Sequence, residues 1–177
     1  MIKWILLPVI FCSCNTESTE HEKTVAESSN LDDTSTPIEA ILLKADSVVL
    51  VSHYSPNEPR KDTVTGKWIN PVEVIKDGAV NEKTIVERKT IKTKDIKELI
   101  RILNSPAIEP DKYASCFQPR HAIFAYSAGS FSFLDICFDC RGASQSNDIK
   151  RIIFDNDKYI KLADFFVDMG FTYMLTD

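Results

Sequence analysis

Glycine is scarce, with five residues in a chain of 177. That scarcity excludes a glycine-rich phosphate loop and the nucleotide-binding fingerprints built on one. No His-Glu-x-x-His motif is present and no serine sits in a nucleophile elbow, so the common signatures of zinc and serine hydrolases are missing too. Histidine is limited to His21, His53 and His121. The leading apolar run, Trp4 to Phe11, falls well short of the about 20 residues a membrane-spanning helix needs. There is no excess of base: 21 Lys and Arg stand against 26 Asp and Glu, a formal charge of −5, and no basic face invites nucleic acid. Glu109, Asp111 and similar acids are scattered without partners, so no catalytic constellation is legible and no enzymatic activity is expected.

What is present begins at the N-terminus. Met1-Ile2-Lys3 is a short basic start and Trp4 to Phe11 is apolar, the layout of an export signal rather than of a folded element. Phe11-Cys12-Ser13-Cys14 resembles the lipobox of bacterial lipoproteins, with an apolar residue at −3, a small one at −1 and then the cysteine that is acylated. The resemblance implies a signal peptide over residues 1–13 and Cys14 as the lipidated first residue of the mature chain. Several acyl chains on one cysteine give a firm anchor where a single chain is marginal. Asn15 stands where an Asp would mark inner-membrane retention in enteric bacteria, so the outer membrane is the favoured destination. The expected partners are the membrane, through this lipid, and a protein of the cell envelope.

Residues 14–37 then form a polar tether. Apart from Val25 and Leu31 it has no large apolar side chain, so it cannot bury enough surface to offset its ordering entropy. Glu17, Glu20, Glu22, Glu27, Asp32 and Asp33 against Lys23 account for nearly all of the net charge. As a flexible chain, the tether would span roughly 25 Å on average.

Residues 38–177 suit one domain. Apolar residues at i, i+3, i+4 and i+7 predict three helices: Ile38, Ile41, Leu42 and Ala45; Ile96, Leu99, Ile100 and Leu103; Leu162, Phe165, Phe166 and Met169. Thr36, Pro37 and Glu39 read as a capping box at the first helix, Thr93 and Asp95 open the second, and Gly170 stops the third. Strands are predicted at Ser47–Ser52, Trp68–Ile75, Thr84–Ile91 and Ile149–Phe154, with Asp77-Gly78 as the turn between the second and the third. The most informative stretch is Cys116 to Cys140. Ser127-Ala128-Gly129-Ser130 separates two apolar runs and reads as a β-hairpin in which Tyr126 faces Phe131 and Ala122 faces Asp135. Alternation then gives an aliphatic face (Ile123, Ala125, Leu134, Ile136) for the helices and an aromatic one (Phe124, Tyr126, Phe131, Phe133) opposite. The sum is an α+β domain, a mostly antiparallel sheet with about three helices packed on one face.

In this register Arg120 is diagonal to Asp135, within reach of an ion pair that is either structural or a small anion site. Cys116, Cys137 and Cys140 are the cysteines left after Cys12 and Cys14, an odd number for an oxidising compartment. The favoured reading is a Cys116–Cys140 disulfide, since Cys140 lies across from Phe117. Cys137–Cys140 requires the strand to bend. A Cys₃His zinc site from Cys116, Cys137, Cys140 and His121 (or His53), a thioredoxin-like redox pair in Cys137-Phe138-Asp139-Cys140, and three unpaired buried thiols are the alternatives. Structural zinc is thus the one cofactor weighed, and none is favoured. Cys116-x₂-Pro119-Arg120-His121-Ala122-Ile123 with Cys137-Phe138-Asp139-Cys140 also resembles a pattern of uncharacterised envelope lipoproteins from Bacteroidota-type bacteria. The resemblance implies an envelope location and an α+β fold and carries no activity. The functional expectation is a lipid-anchored binding or structural module, with a thiol or zinc protein as the alternative.

Overall fold

The structure is a computed structural model that describes residues 35–108 and 116–175. The lipobox, Cys14, the tether up to Thr34, and Glu109 and Asp111 lie outside the described residues. The fold is the expected α+β class: three helices and a five-stranded antiparallel sheet, with two small two-stranded sheets.

The elements run in the order α1 (Ile38–Lys44), β1 (Ser47–His53), β2 (Arg60–Lys61), β3 (Trp68–Ile69), β4 (Ile75–Lys76), β5 (Ala79–Val80), β6 (Ile85–Thr90), α2 (Thr93–Leu103), β7 (His121–Ser127), β8 (Ser130–Cys137), β9 (Gly142–Gln145) and α3 (Asn156–Asp168). The main sheet has the order β6-β1-β7-β8-β9. β1 is apolar from Val48 to Val51 because it lies between two strands and is covered on both faces. Val48 and Leu50 join Ile123, Ala125, Leu134 and Ile136 under the helices, against Leu42 of α1, Leu99 and Leu103 of α2 and Leu162 and Phe166 of α3. Val49 and Val51 join Ala122 and Phe124 on the opposite face, where Val74, Ile75 and Val80 close over them. Residues 54–84 therefore form an arm folded across the aromatic face of the sheet.

The hairpin has the expected register, with Tyr126 opposite Phe131, Phe124 opposite Phe133 and Ala122 opposite Asp135. Ala128 and Gly129 alone make its loop, both at positive φ (48° and 81°), the turn whose twist matches that of paired strands. α2 begins and ends near its expected limits, and α3 ends next to the expected stop at Gly170 but starts earlier than its apolar stripe, at Asn156. Asp95 accepts from the Lys92 N–H at 3.3 Å, and Asp155, a cap the sequence reading missed, accepts from the Lys158 N–H at 2.9 Å.

Four local expectations are corrected. Thr36 does not cap α1: Pro37 precedes the helix without a side-chain cap, and Thr36 exchanges backbone hydrogen bonds with Asp148 and Lys150 in a short parallel bridge. Trp68–Ile75 is not one strand, because Pro71 lacks an N–H and interrupts it; Trp68–Ile69 pairs with β2 and Ile75–Lys76 with β5. Asp77-Gly78 accordingly turns the small β4–β5 hairpin rather than joining two long strands. Beyond its bridge at Ile149, Ile149–Phe154 is irregular, and the sheet's edge is β9, a polar segment without a strand-like pattern.

Candidate functional site

The open end of the sheet collects the polar groups that its apolar faces exclude. Ser52, His53, Arg120, His121 and Asp135 are all buried there. A buried polar group is costly unless it is hydrogen-bonded, and each of these is bonded. His53 is fully buried. Its Nδ1 lies 3.0 Å from the Tyr54 carbonyl and its Nε2 lies 2.9 Å from Asp135 Oδ1. A carbonyl only accepts, so Nδ1 carries a proton and donates it, while Nε2 faces the carboxylate. Both ring nitrogens are therefore committed inside the fold.

His121 sits on the helix face, its ring 5.0 Å from that of Phe138 and 5.3 Å from that of Phe166. Nε2 donates to the Tyr173 carbonyl at 3.0 Å. Burial disfavours the imidazolium and, with the nearby charges of His53 and Arg120, lowers the pKa from 6.5 to about 4, against opposing pulls from the Tyr173 carbonyl and Glu87. His121 is thus a neutral core residue at physiological pH. Glu87 closes the same end: it accepts from Ser52 Oγ at 2.6 Å and from the N–H and hydroxyl of Thr172. Burial pushes its carboxyl up, but these donors outweigh burial and hold it below the ordinary range.

The expected Arg120–Asp135 ion pair does not form. Arg120 donates instead to Glu58 at 2.6 Å and to Asp139 at 3.1 Å, while Asp135 is taken by His53. The two competing partners come from outside the hairpin, Glu58 from the arm and His53 from β1. With two carboxylates bound to its guanidinium, the charge of Arg120 is compensated inside the fold.

The expected Cys116–Cys140 disulfide is also corrected. β8 ends at Cys137, and the chain turns at once, with Arg141 at φ 51°, into β9. Strand alternation no longer applies in that turn. Cys137 and Cys140 come to a Cα separation of 5.6 Å and form the disulfide, and Cys116 is a free, exposed thiol. Two of the three sulfurs of the alternative zinc set are thereby joined to each other, and His121 is turned to Tyr173. Among the described residues no group of three or more His, Cys, Asp or Glu is placed to hold a metal ion. Gly142 follows the bridge at a crowded point: a Cβ there would stand 2.8 Å from the Phe117 ring, which would have to shift.

An opening that a ligand could enter lies beside this cluster, and sequence reading did not find it. It is a cleft of about 240 Å³ enclosed by the arm itself, next to the end of β1. Tyr54, Ser55 and Thr84 line it from the two ends of the arm, where it joins β1 and β6, and Ile69, Asn70, Pro71 and Val72 from its middle. Arg60 and Lys83 supply positive charge and Glu58 negative charge. The Arg60 guanidinium lies over the Tyr54 ring, 3.6 Å from its centroid. On the other side Tyr54 meets Tyr173 edge to face at 6.0 Å. The stack fixes Arg60 at low entropic cost, and a cation over a tyrosine face is itself favourable by about 0.5–1 kcal/mol near the surface. The polar residues of the cleft are spread through a polar loop with no recognisable spacing. No protein-family model, no curated protein and no solved structure matches this chain.

Proposed function

We propose that this chain is a lipid-anchored cell-envelope protein that works by binding, with the Tyr54–Arg60–Val72 cleft as its binding site. One observation carries the reading. The buried His53, His121, Asp135 and Arg120 are all consumed by bonds inside the fold, whereas the cleft keeps an apolar wall and positive side chains facing an opening. A concave site with apolar lining and a few polar groups is the usual form of a ligand pocket, and 240 Å³ is at the small end of the range. The lipobox at Phe11–Cys14 supports the anchor, and the acidic residues of 14–37 support a tether that holds the domain off the membrane.

Two measurements test this. Cells expressing the protein are fed radiolabelled palmitate. Label enters the chain, Cys14→Ser abolishes it, and label that survives this substitution contradicts the anchor. Native mass spectrometry of protein gently extracted from bacterial membranes then reads the cleft. A small bound mass is expected, and Val72→Trp, which fills the opening, should remove it. A bare protein in both cases contradicts the binding reading.

A further inference from the structure

We infer that the cleft selects a small ligand with an anionic head, a carboxylate or phosphate held by Arg60, and a compact apolar body laid against Ile69, Pro71 and Val72. The inference rests on the cleft being the binding site and adds the chemistry of what it takes.

The argument is one of charge accounting among the groups at the opening. Arg120 and Arg60 differ in their partners. Arg120 is nine-tenths buried and bound to two carboxylates. Arg60 is half-buried and stacked on Tyr54, and among the described residues no hydrogen bond or ion pair occupies its five N–H groups. The acids that could have served it are committed elsewhere. Glu58 is the partner of Arg120 at 2.6 Å. Asp62 feels the charge of Arg60 only weakly and caps its own turn, accepting from the Val64 and Thr65 N–H groups at 3.0 and 2.6 Å. Lys83, the second cation of the lining, has no hydrogen bond or ion pair through its side chain among the described residues. The cleft therefore carries two unneutralised cations against one acid that is already neutralised.

Geometry adds to this. A guanidinium flattened on an aromatic ring keeps its edge free, and the edge is the part that forms paired bonds to a carboxylate or phosphate. Lysine would not be held in that way. The small volume excludes a peptide or a lipid tail of ordinary length, and the exposed Pro71 and Val72 offer apolar contact to a body of one ring or a short branched chain.

The test uses the full-length protein in detergent micelles and ¹H–¹⁵N spectra that include the Arg60 side chain. Benzoate, phenyl phosphate, the neutral benzamide and the cationic benzylamine are titrated in turn. Benzoate, phenyl phosphate or both should move the Arg60 Nε and the Ile69 and Val72 amides saturably, and the stronger of the two names the head group. Benzamide and benzylamine should bind at least tenfold more weakly, and added salt should weaken the anions. Arg60→Gln should lower anion affinity about tenfold or more, while Arg60→Lys should restore part of it. Arg101→Gln, remote from the cleft and paired with Glu98, should change nothing. Equal binding of benzamide and benzoate, or an unchanged affinity in Arg60→Gln, overturns the anion assignment and leaves the binding site standing. Absence of saturable shifts with every probe also overturns it, and the native mass of wild type against Val72→Trp then decides whether the site itself falls.

Discussion

The buried His121 gives the domain a pH-dependent stability that can be worked out in advance. Its pKa falls from 6.5 to about 4 on folding, chiefly because burial disfavours the charged ring. Between those values the unfolded chain binds a proton that the folded one refuses, so stability rises with pH there and is lost as pH falls. The full effect is about 3 kcal/mol, at about 1.4 kcal/mol for each tenfold change, and about 2 kcal/mol of it is spent between pH 7 and pH 5. Carboxylates such as Asp155 and Glu87, which are also held low, lose their contribution further down as they protonate, so they steepen the curve below this window. The perturbation that isolates the histidine is His121→Gln, whose amide can still donate to the Tyr173 carbonyl but cannot titrate. Urea denaturation of both proteins at several pH values is the assay. Wild type should lose about 2 kcal/mol more than the variant between pH 7 and pH 5. Parallel curves, or an NMR titration that puts His121 near 6.5, would refute the reasoning.

Other predictions concern the same end of the sheet. Arg120→Met removes a buried cation but leaves Glu58 and Asp139, which are more than half exposed, in water; the cost should be about 1–2 kcal/mol by urea denaturation, with faster amide exchange in the arm near Glu58. Differential alkylation read by mass spectrometry should label Cys116 in the native protein, and Cys137 and Cys140 only after reduction. Gly142→Ala should cost about 1–3 kcal/mol in the same denaturation assay because the Phe117 ring must give way, and Phe117→Leu should recover part of it. Lys158→Met should cost a similar about 1–3 kcal/mol, since its ammonium donates to the Leu103 and Ile153 carbonyls, which are left unpaired.

What the sequence revealed follows from the range of the interactions involved. The hairpin register was legible because a two-residue loop and period-2 alternation are local, and Phe124 opposite Phe133 follows from Ala128-Gly129 alone. The helical stripes of α2 and α3 were legible for the same reason. The ion pairs were not. Asp135 has the neighbouring Arg120 as its apparent partner, yet it bonds His53, 82 residues away in sequence, and Arg120 turns to Glu58, 62 residues away. Which partner wins depends on how the arm crosses the sheet, and no local pattern encodes that crossing. The disulfide was misread because alternation was carried past Cys137 into a turn. The cleft was missed because its lining spans Tyr54 to Thr84, a stretch whose polar composition reads as ordinary loop.

The claim that the arm encloses a binding site is tested most directly by mapping where a natural ligand touches the protein. ¹H–¹⁵N spectra of the full-length protein are recorded before and after adding small molecules extracted from the bacterial envelope. The account predicts shifts centred on Tyr54, Arg60, Ile69, Val72 and Lys83. Shifts centred instead on Cys116 and the Cys137–Cys140 turn, or none anywhere, would contradict it.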